Sequence, residues 1–194
     1  MKTKPLTKKI ISGKYKGKVL KLPSKSSTRS SKAIVLESFF NTVQFEIIDA
    51  NFVEVFAGSG SIGLEALSRG AKQIYFMEKD RDALKVLKEN IAQTDSSKCE
   101  VFAGDSFVNI KEVVQRVQKK GEDAYFYIDP PFSIREGMED IYEKMIKLIA
   151  SLPQENVKMI VIEHMTGLAL ADEIGAYKKK KSKKFGNTTL TYFI

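Results

Sequence analysis

The chain has 194 residues, a length that suits one domain with a small appendage. Hydrophobic residues make up 43%, enough for a full core, and no apolar run approaches the ~18 residues of a membrane span. The net charge of +8 points to an anionic partner, and the single cysteine, Cys99, excludes an intramolecular disulfide and fits a reducing, cytoplasmic setting.

Positive charge opens the chain: residues 1–32 carry eleven Lys or Arg and no acid. Ile10–Leu22, with Gly13 and Gly17, predicts a small basic β-hairpin. Val35, Phe39 and Val43 then predict a helix leading into the main unit. The expected division is a basic extension over residues 1–45 and a catalytic unit over 46–194.

From about residue 50 the pattern alternates. Asn51–Phe56 reads as a strand running into Gly58-Ser59-Gly60, followed by a helix that stops near Gly70. Gln73–Met77 is the second strand, and Ala83, Leu84, Leu87 and Ile91 mark the second helix. Cys99–Phe102, Asp123–Ile128 and Val157–Ile162 are further strands. Between them, Phe107, Ile110, Val114 and Val117 mark one helix, and Met138, Ile141, Met145 and Leu148 the next. Ala176–Phe185 and Thr188–Phe193 flank Gly186-Asn187 as a terminal hairpin. The expected fold is α/β and Rossmann-like: a mostly parallel seven-stranded sheet, a C-terminal antiparallel hairpin at one edge, and the N-terminal hairpin and helix outside.

The segment Gly58-Ser59-Gly60-Ser61-Ile62-Gly63 turns from a strand into a helix, where glycines allow a tight turn and close approach of a ligand. Glu78 ends the second strand and can accept hydrogen bonds from both hydroxyls of a ribose. Together they suggest a bound nucleoside. A dinucleotide needs the helix N-terminus clear for its pyrophosphate. Glu54 inside the first strand, with Phe56-Ala57 before the glycines, favours S-adenosylmethionine, whose ammonium gains from an acid nearby. Asp105 either meets an adenine amine or caps the following helix, and Lys79 and Ser106 complete the expected cofactor lining.

Asp129-Pro130-Pro131-Phe132 ends the fourth strand and is the most specific motif in the chain. An exocyclic amine is a poor nucleophile because its lone pair is delocalised into the ring. The Asp129 side chain and the Pro130 carbonyl can accept its two hydrogens and restore that lone pair, Pro131 stiffens the loop, and Phe132 offers a flat face to an extruded base.

With these residues on the page, the chain resembles the bacterial RsmD family, which methylates N2 of a guanine in small-subunit ribosomal RNA. The resemblance runs from Lys9-Ile10-Ile11-Ser12-Gly13 and Lys16-Gly17 through Arg29, Glu37 and Phe40-Asn41. It continues through Phe56 to Gly60, Gly63-Leu64-Glu65-Ala66-Leu67-Ser68-Arg69-Gly70-Ala71 and Asp129 to Phe132. It implies the class I methyltransferase fold, S-adenosylmethionine as donor held by Gly58, Gly60 and Glu78, guanine held by Asp129 to Phe132, and the assembled small subunit as substrate. The chain departs from the family's Arg-Pro-Thr start, Asp-Arg pair and following Arg, having Ser30-Ser31, Lys32-Ala33-Ile34 and Leu36 there.

Other readings are an amino-methyltransferase acting on adenine N6 or on a protein glutamine, and a non-catalytic RNA-binding assembly factor. Asp129 to Phe132 disfavours a dehydrogenase. Lys14, Lys16, Lys18 and Arg29 of the extension, with Lys178 and Lys180 of the terminal lysine cluster, are the candidate RNA contacts. The alternative for that cluster is a solvated edge strand that resists aggregation. Tyr15 either stacks on a base or packs on the sheet, and His164 is expected to be a satisfied surface or core histidine. No metal is expected from one His and one Cys, and a monomer is the expected state.

Overall fold

Short apolar strands alternate with helices that bury one stripe, so the chain builds one sheet with helices packed on it. The computed structural model describes residues 6–23, 33–131 and 140–194. In chain order the elements are β1 (Thr7–Lys9), β2 (Val19–Lys21), α1 (Ala33–Thr42), β3 (Asn51–Val55), α2 (Ser61–Ser68), β4 (Gln73–Glu78), α3 (Arg81–Ile91) and β5 (Cys99–Ala103). There follow α4 (Ser106–Lys120), β6 (Ala124–Ile128), α5 (Ile141–Ala150), β7 (Val157–Met165), β8 (Glu173–Ile174), β9 (Tyr177–Phe185) and β10 (Thr188–Phe193).

The helices start and stop where local chemistry demands. Asp80 caps α3 by accepting from Ala83 N at 2.8 Å, and Asp105 caps α4 by accepting from Phe107 N at 2.8 Å. Gly121, at φ 65°, ends α4 in the left-handed conformation that glycine adopts without strain. Ala83, Leu87 and Ile91 bury one face of α3 at the expected spacing. Met138, expected in the following helix, lies outside the described residues.

The strand order is β5-β4-β3-β6-β7-β10-β9-β8. β5, β4, β3, β6 and β7 pair in parallel, and β10 runs antiparallel between β7 and β9. The sheet has eight strands among the described residues rather than seven, because Glu173–Ile174 adds a two-residue strand beyond β9. The terminal hairpin closes through Gly186, at φ 63° in the first position of its two-residue turn. β7 extends to Met165, so Glu163 and His164 lie within it rather than after it.

One face of the sheet carries Phe52, Tyr127, Val161 and Tyr192 against α1, α2 and α3, and the other carries Val53, Phe126, Ile160 and Phe193 against α4 and α5. Phe39 of α1 sits edge-on to Tyr127 at 5.0 Å and to Phe40 at 4.8 Å. Such pairs add about 0.5–1.5 kcal/mol each to the burial itself.

The N-terminal extension joins this core. β1 and β2 pair antiparallel, with Lys8 opposite Leu20. The hairpin strands thus begin before Ile10, and residues 10–18 form the connection. Ile10, Leu20, Val35 and Phe39 belong to the same apolar cluster as Phe52 and Tyr127. The arm runs alongside α2 from start to end. Lys8 Nζ reaches Ser61 Oγ at 3.4 Å, Ile11 N and Ser12 N donate to the Glu65 carboxylate at 2.7 and 3.1 Å, and Tyr15 N donates to Ser68 Oγ at 2.9 Å. Asn90 of α3 clasps β2, exchanging hydrogen bonds with both backbone groups of Lys21 at 2.9 Å.

Gly13 and Gly17 separate two causes of strain. Both have positive φ, 82° and 85°, but a Cβ on Gly13 would stand 1.8 Å from the Ser68 carbonyl oxygen while one on Gly17 would meet nothing within 4 Å. Gly17→Ala should therefore cost about 1 kcal/mol, from the backbone alone. Gly13→Ala should cost roughly 3 kcal/mol or more, because the arm must leave α2. Thermal unfolding should show the second melting at least about 5 °C below the first.

Candidate active site

The site stands where the parallel strands end. Val55 of β3 is the register partner of Ile128 of β6, so the residues after each strand, Phe56–Gly60 and Asp129–Pro131, lie side by side. This is the position where parallel sheets take ligands.

The glycine turn is built by left-handed residues. Phe56, Gly58 and Gly60 have φ of 63°, 55° and 74°. For Phe56 that conformation costs on the order of 1–3 kcal/mol, a strain characteristic of ligand-binding turns. Ala57 N donates to Met77 O and Gly60 N to Ala57 O, both at 2.8 Å. Gly63 is required by packing, because a Cβ there would stand 2.5 Å from a Phe76 ring carbon and 2.9 Å from Glu54 Oε2. Ser59 is buried, and Asn90 donates to its carbonyl at 2.9 Å.

Glu54 is buried in β3, and its carboxylate accepts from Ile62 N at 3.3 Å and Gly63 N at 2.7 Å. It thus caps the N-terminus of α2 from inside the sheet. Burial pushes its pKa up to about 8, against the opposing effect of those two amides and of Lys8. Glu78 accepts from Gly58 N through Oε2 at 2.7 Å, and from Lys79 N and Asp80 N through Oε1 at 2.8 and 2.7 Å. It ties the glycine turn to the end of β4. Lys79 is exposed beside it. Of the two readings of Asp105, the structure displays the helix cap. Ser106 is buried, and Phe107 meets Phe56 edge-on at 5.5 Å.

Asp129 is half-buried, Pro130 buried and Pro131 half-buried. Phe132 lies outside the described residues, as does Arg29. Two neighbours of Asp129 escaped the sequence reading. The parallel register Ile128↔Ile162 puts Glu163 of β7 at the level of Asp129, and the buried Tyr127 hydroxyl donates to Glu163 at 2.7 Å. Burial holds the Tyr127 hydroxyl well above its ordinary pKa, reinforced by the charges of Glu163 and Asp129. The alternation Val161-Ile162-Glu163 was the available signal, had the strand been extended past Ile162.

The RNA-contact candidates fall in separate places. Lys14, Lys16 and Lys18 are exposed on the hairpin connection, beside the end of α2 remote from Asp129. Tyr15 packs half-buried against the core, its ring facing Lys14 at 5.3 Å. β9 is parallel in direction to β7, so Lys184 stands toward the catalytic end and Lys178 about 20 Å behind it. Lys178 and Lys180 are therefore not brought to the rim of the site, and Lys178 is 3.4 Å from Glu173 in an ion pair. The strand alternates: Lys178, Lys180 and Lys184 are exposed, while Lys181 lies over the Tyr192 ring at 4.8 Å.

His164 is buried and satisfied: Nδ1 donates to Met165 O at 2.9 Å, and Nε2 accepts from Thr191 Oγ1 at 2.8 Å. Burial lowers its pKa, in keeping with a neutral ring. Cys99 is half-buried, and burial raises its thiol to about 12. Among the described residues, no three His, Cys, Asp or Glu side chains gather as a metal site, and no helix is long and apolar enough to cross a membrane.

A parallel sheet with a glycine turn after β3, an acid ending β4, Asp-Pro-Pro after β6 and an antiparallel β10 is the class I methyltransferase fold. An Escherichia coli structure named provisionally as the methyltransferase yhhF superposes with a TM-score of 0.71 at 26% identity, over 96% of this chain and 97% of that one. The chain belongs to the RsmD family: the family described as conserved hypothetical protein 95 matches residues 8–194. A Bacillus subtilis relative, YlbH, named provisionally as an rRNA methyltransferase, is 28% identical over 95% of this chain and 97% of its own. Ribosomal RNA small subunit methyltransferase D of Escherichia coli K12 is 34% identical over 67% of this chain and 62% of its own.

Glu54 makes a stability prediction with a definite sign. Its folded pKa is above its unfolded one, so the folded state holds the proton more tightly. That contribution is full below the unfolded pKa of about 4.5 and is lost as pH rises toward about 8. In urea titrations, Glu54→Gln should cost more stability at pH 6 than at pH 9, because only the wild type pays for ionisation. An equal cost at both pH values would contradict the raised pKa.

Proposed function

We propose that the protein transfers a methyl group from S-adenosylmethionine to the exocyclic N2 amine of a guanine in small-subunit ribosomal RNA, taking the assembled subunit as substrate. The observation that carries this reading is the adjacency of the two strand ends, which sets an amine-gripping motif against a nucleoside-binding turn. The names of the relatives, the fold and the charge of +8 support the same reading.

The residues fit the donor. Glu54 occupies the α2 amides that a pyrophosphate would use, which suits a cofactor without phosphate. Glu78 engages the ribose diol through the acceptor capacity left after its three amide bonds, and Phe56, Ala57, Gly58, Ser59 and Gly60 shape the turn around the nucleoside. Asp105, Ser106 and Lys79 border the adenine side. When bound, the cofactor supplies an activated methyl on a sulfonium.

The chain supplies position and polarity. The Asp129 carboxylate accepts one hydrogen of the amine and the Pro130 carbonyl the other, which draws the nitrogen toward a tetrahedral shape. Pro130 is buried and its ring fixes φ, which holds the turn that carries this carbonyl. Phe132 offers the stacking face. Lys14, Lys16 and Lys18 grip phosphates at the far end of α2, about 10 Å along its axis from Ser61, Lys178 and Lys180 add weaker, distant contacts, and Arg29 is a further candidate contact.

Tritiated methyl transfer to unmethylated small subunits and to naked rRNA, with the product nucleoside identified by mass, tests the assignment. N2-methylguanosine is expected; N6-methyladenosine would redirect it. Asp129→Ala should lower kcat by at least about 10²–10³-fold with donor binding largely retained. Glu78→Ala should raise the donor Kd about tenfold or more. Replacing Lys14, Lys16 and Lys18 by Ala should reduce the log–log salt slope of RNA binding by about 2 to 3.

A further inference from the structure

The arm does more than carry exposed lysines. Lys8 stands opposite Leu20 in the β1–β2 register, so it occupies the face of the hairpin that Leu20 buries in the core. Its neighbours in the strand, Thr7 and Lys9, are exposed, whereas Lys8 is half-buried. An ammonium on the inward face of a hairpin needs partners there. Its Nζ reaches Ser61 Oγ at 3.4 Å, at the first residue of the cofactor helix.

The acids facing it come from four elements. Burial lowers the Lys8 pKa, and Glu54 of β3, Glu163 of β7, Glu65 of α2 and Asp129 after β6 oppose that effect. Glu54 is committed to the α2 amides, and Glu65 to the amides of Ile11 and Ser12 and to Arg69. Asp129 and Glu163 stand at one level on adjacent strands, about 5 Å apart in backbone spacing, with the Tyr127 hydroxyl on Glu163. Two carboxyl groups are thereby brought to one place, on the side of the sheet from which Lys8 approaches.

We propose that Lys8 is a positioning residue of the methyl-transfer site: its ammonium, anchored beside Ser61, offsets the negative pair Asp129–Glu163 and holds Asp129 ionised and aimed at the amine. The N-terminal arm is thereby part of the catalytic pocket. This rests on Asp129 acting as the amine's acceptor.

The test uses the full chain, tritiated S-adenosylmethionine and unmethylated small subunits, with thermal unfolding to establish that each variant is folded. Lys8→Met should lower kcat about 10- to 100-fold, the scale of one lost charged hydrogen bond, while donor and RNA affinities stay within about threefold. Its acid limb in the kcat–pH profile should move to higher pH. Lys8→Arg should recover most of the rate, and Lys9→Met should leave kcat unchanged at saturating RNA. Glu163→Gln, which keeps Lys8 intact, should move the acid limb the opposite way, so a poorly folded Lys8→Met does not end the test. An unmoved limb in both Lys8→Met and Glu163→Gln, or wild-type kcat in Lys8→Met, overturns the role of Lys8. If Asp129→Ala is fully active, the underlying reading fails first. If Asp129→Ala is inactive while Lys8→Met is fully active, only the inference about Lys8 fails.

Discussion

An acid buried in the middle of a strand governs the open end of this sheet. Glu54 gives its two oxygens to the first amides of α2, and so removes the anion-binding capacity that a helix N-terminus otherwise presents. Beside such a capped helix the polar groups at the strand ends are the backbone of the glycine turn and the Glu78 carboxylate rather than a free set of helix amides. Burying a carboxylate is costly, and two amides and the nearby Lys8 oppose that cost only in part, so burial still raises the Glu54 pKa to about 8. Gly63 belongs to the same device, since any side chain there would press on the Glu54 carboxylate and on Phe76.

The elements around that device could be read from sequence. A glycine turn between strand and helix, an acid at the next strand end and a proline motif at the fourth are local features with local causes, and each strand needed only its apolar run to be found. Strand ends were less legible. β7 runs three residues beyond Ile162 because β10 pairs with it as far as Met165, a partnership formed with residues more than twenty positions away. In sequence Glu163 therefore reads as a residue after the strand, whereas the pairing makes it the neighbour of Asp129.

The arm was legible as a basic hairpin but not in its placement. Its connection lies on α2 through amide bonds to Glu65 and Ser68, which no charge pattern announces. Lys8 was one cation among eleven in the first thirty-two residues, and only the pairing with Leu20 separates it from its exposed neighbours. The lysines of β9 misled in the other direction. Six in seven positions look like one patch, but strand alternation splits them between two faces and strand direction carries Lys178 and Lys180 away from the site.

Sharing one core has a consequence for how the enzyme uses binding energy. Ile10 and Leu20 pack with Phe39, Phe52 and Tyr127, so the arm and the central strands are parts of one apolar core. Under the proposed function, phosphate contacts at the arm would act on the same packed unit as the target amine, so that energy gained far from the chemistry is available for orientation at it. A flexible tail of the same charge would raise affinity for RNA but could not fix one amine against a methyl group. The clasp of Asn90 on Lys21 and the close seat of Gly13 on Ser68 are what distinguish the first arrangement from the second.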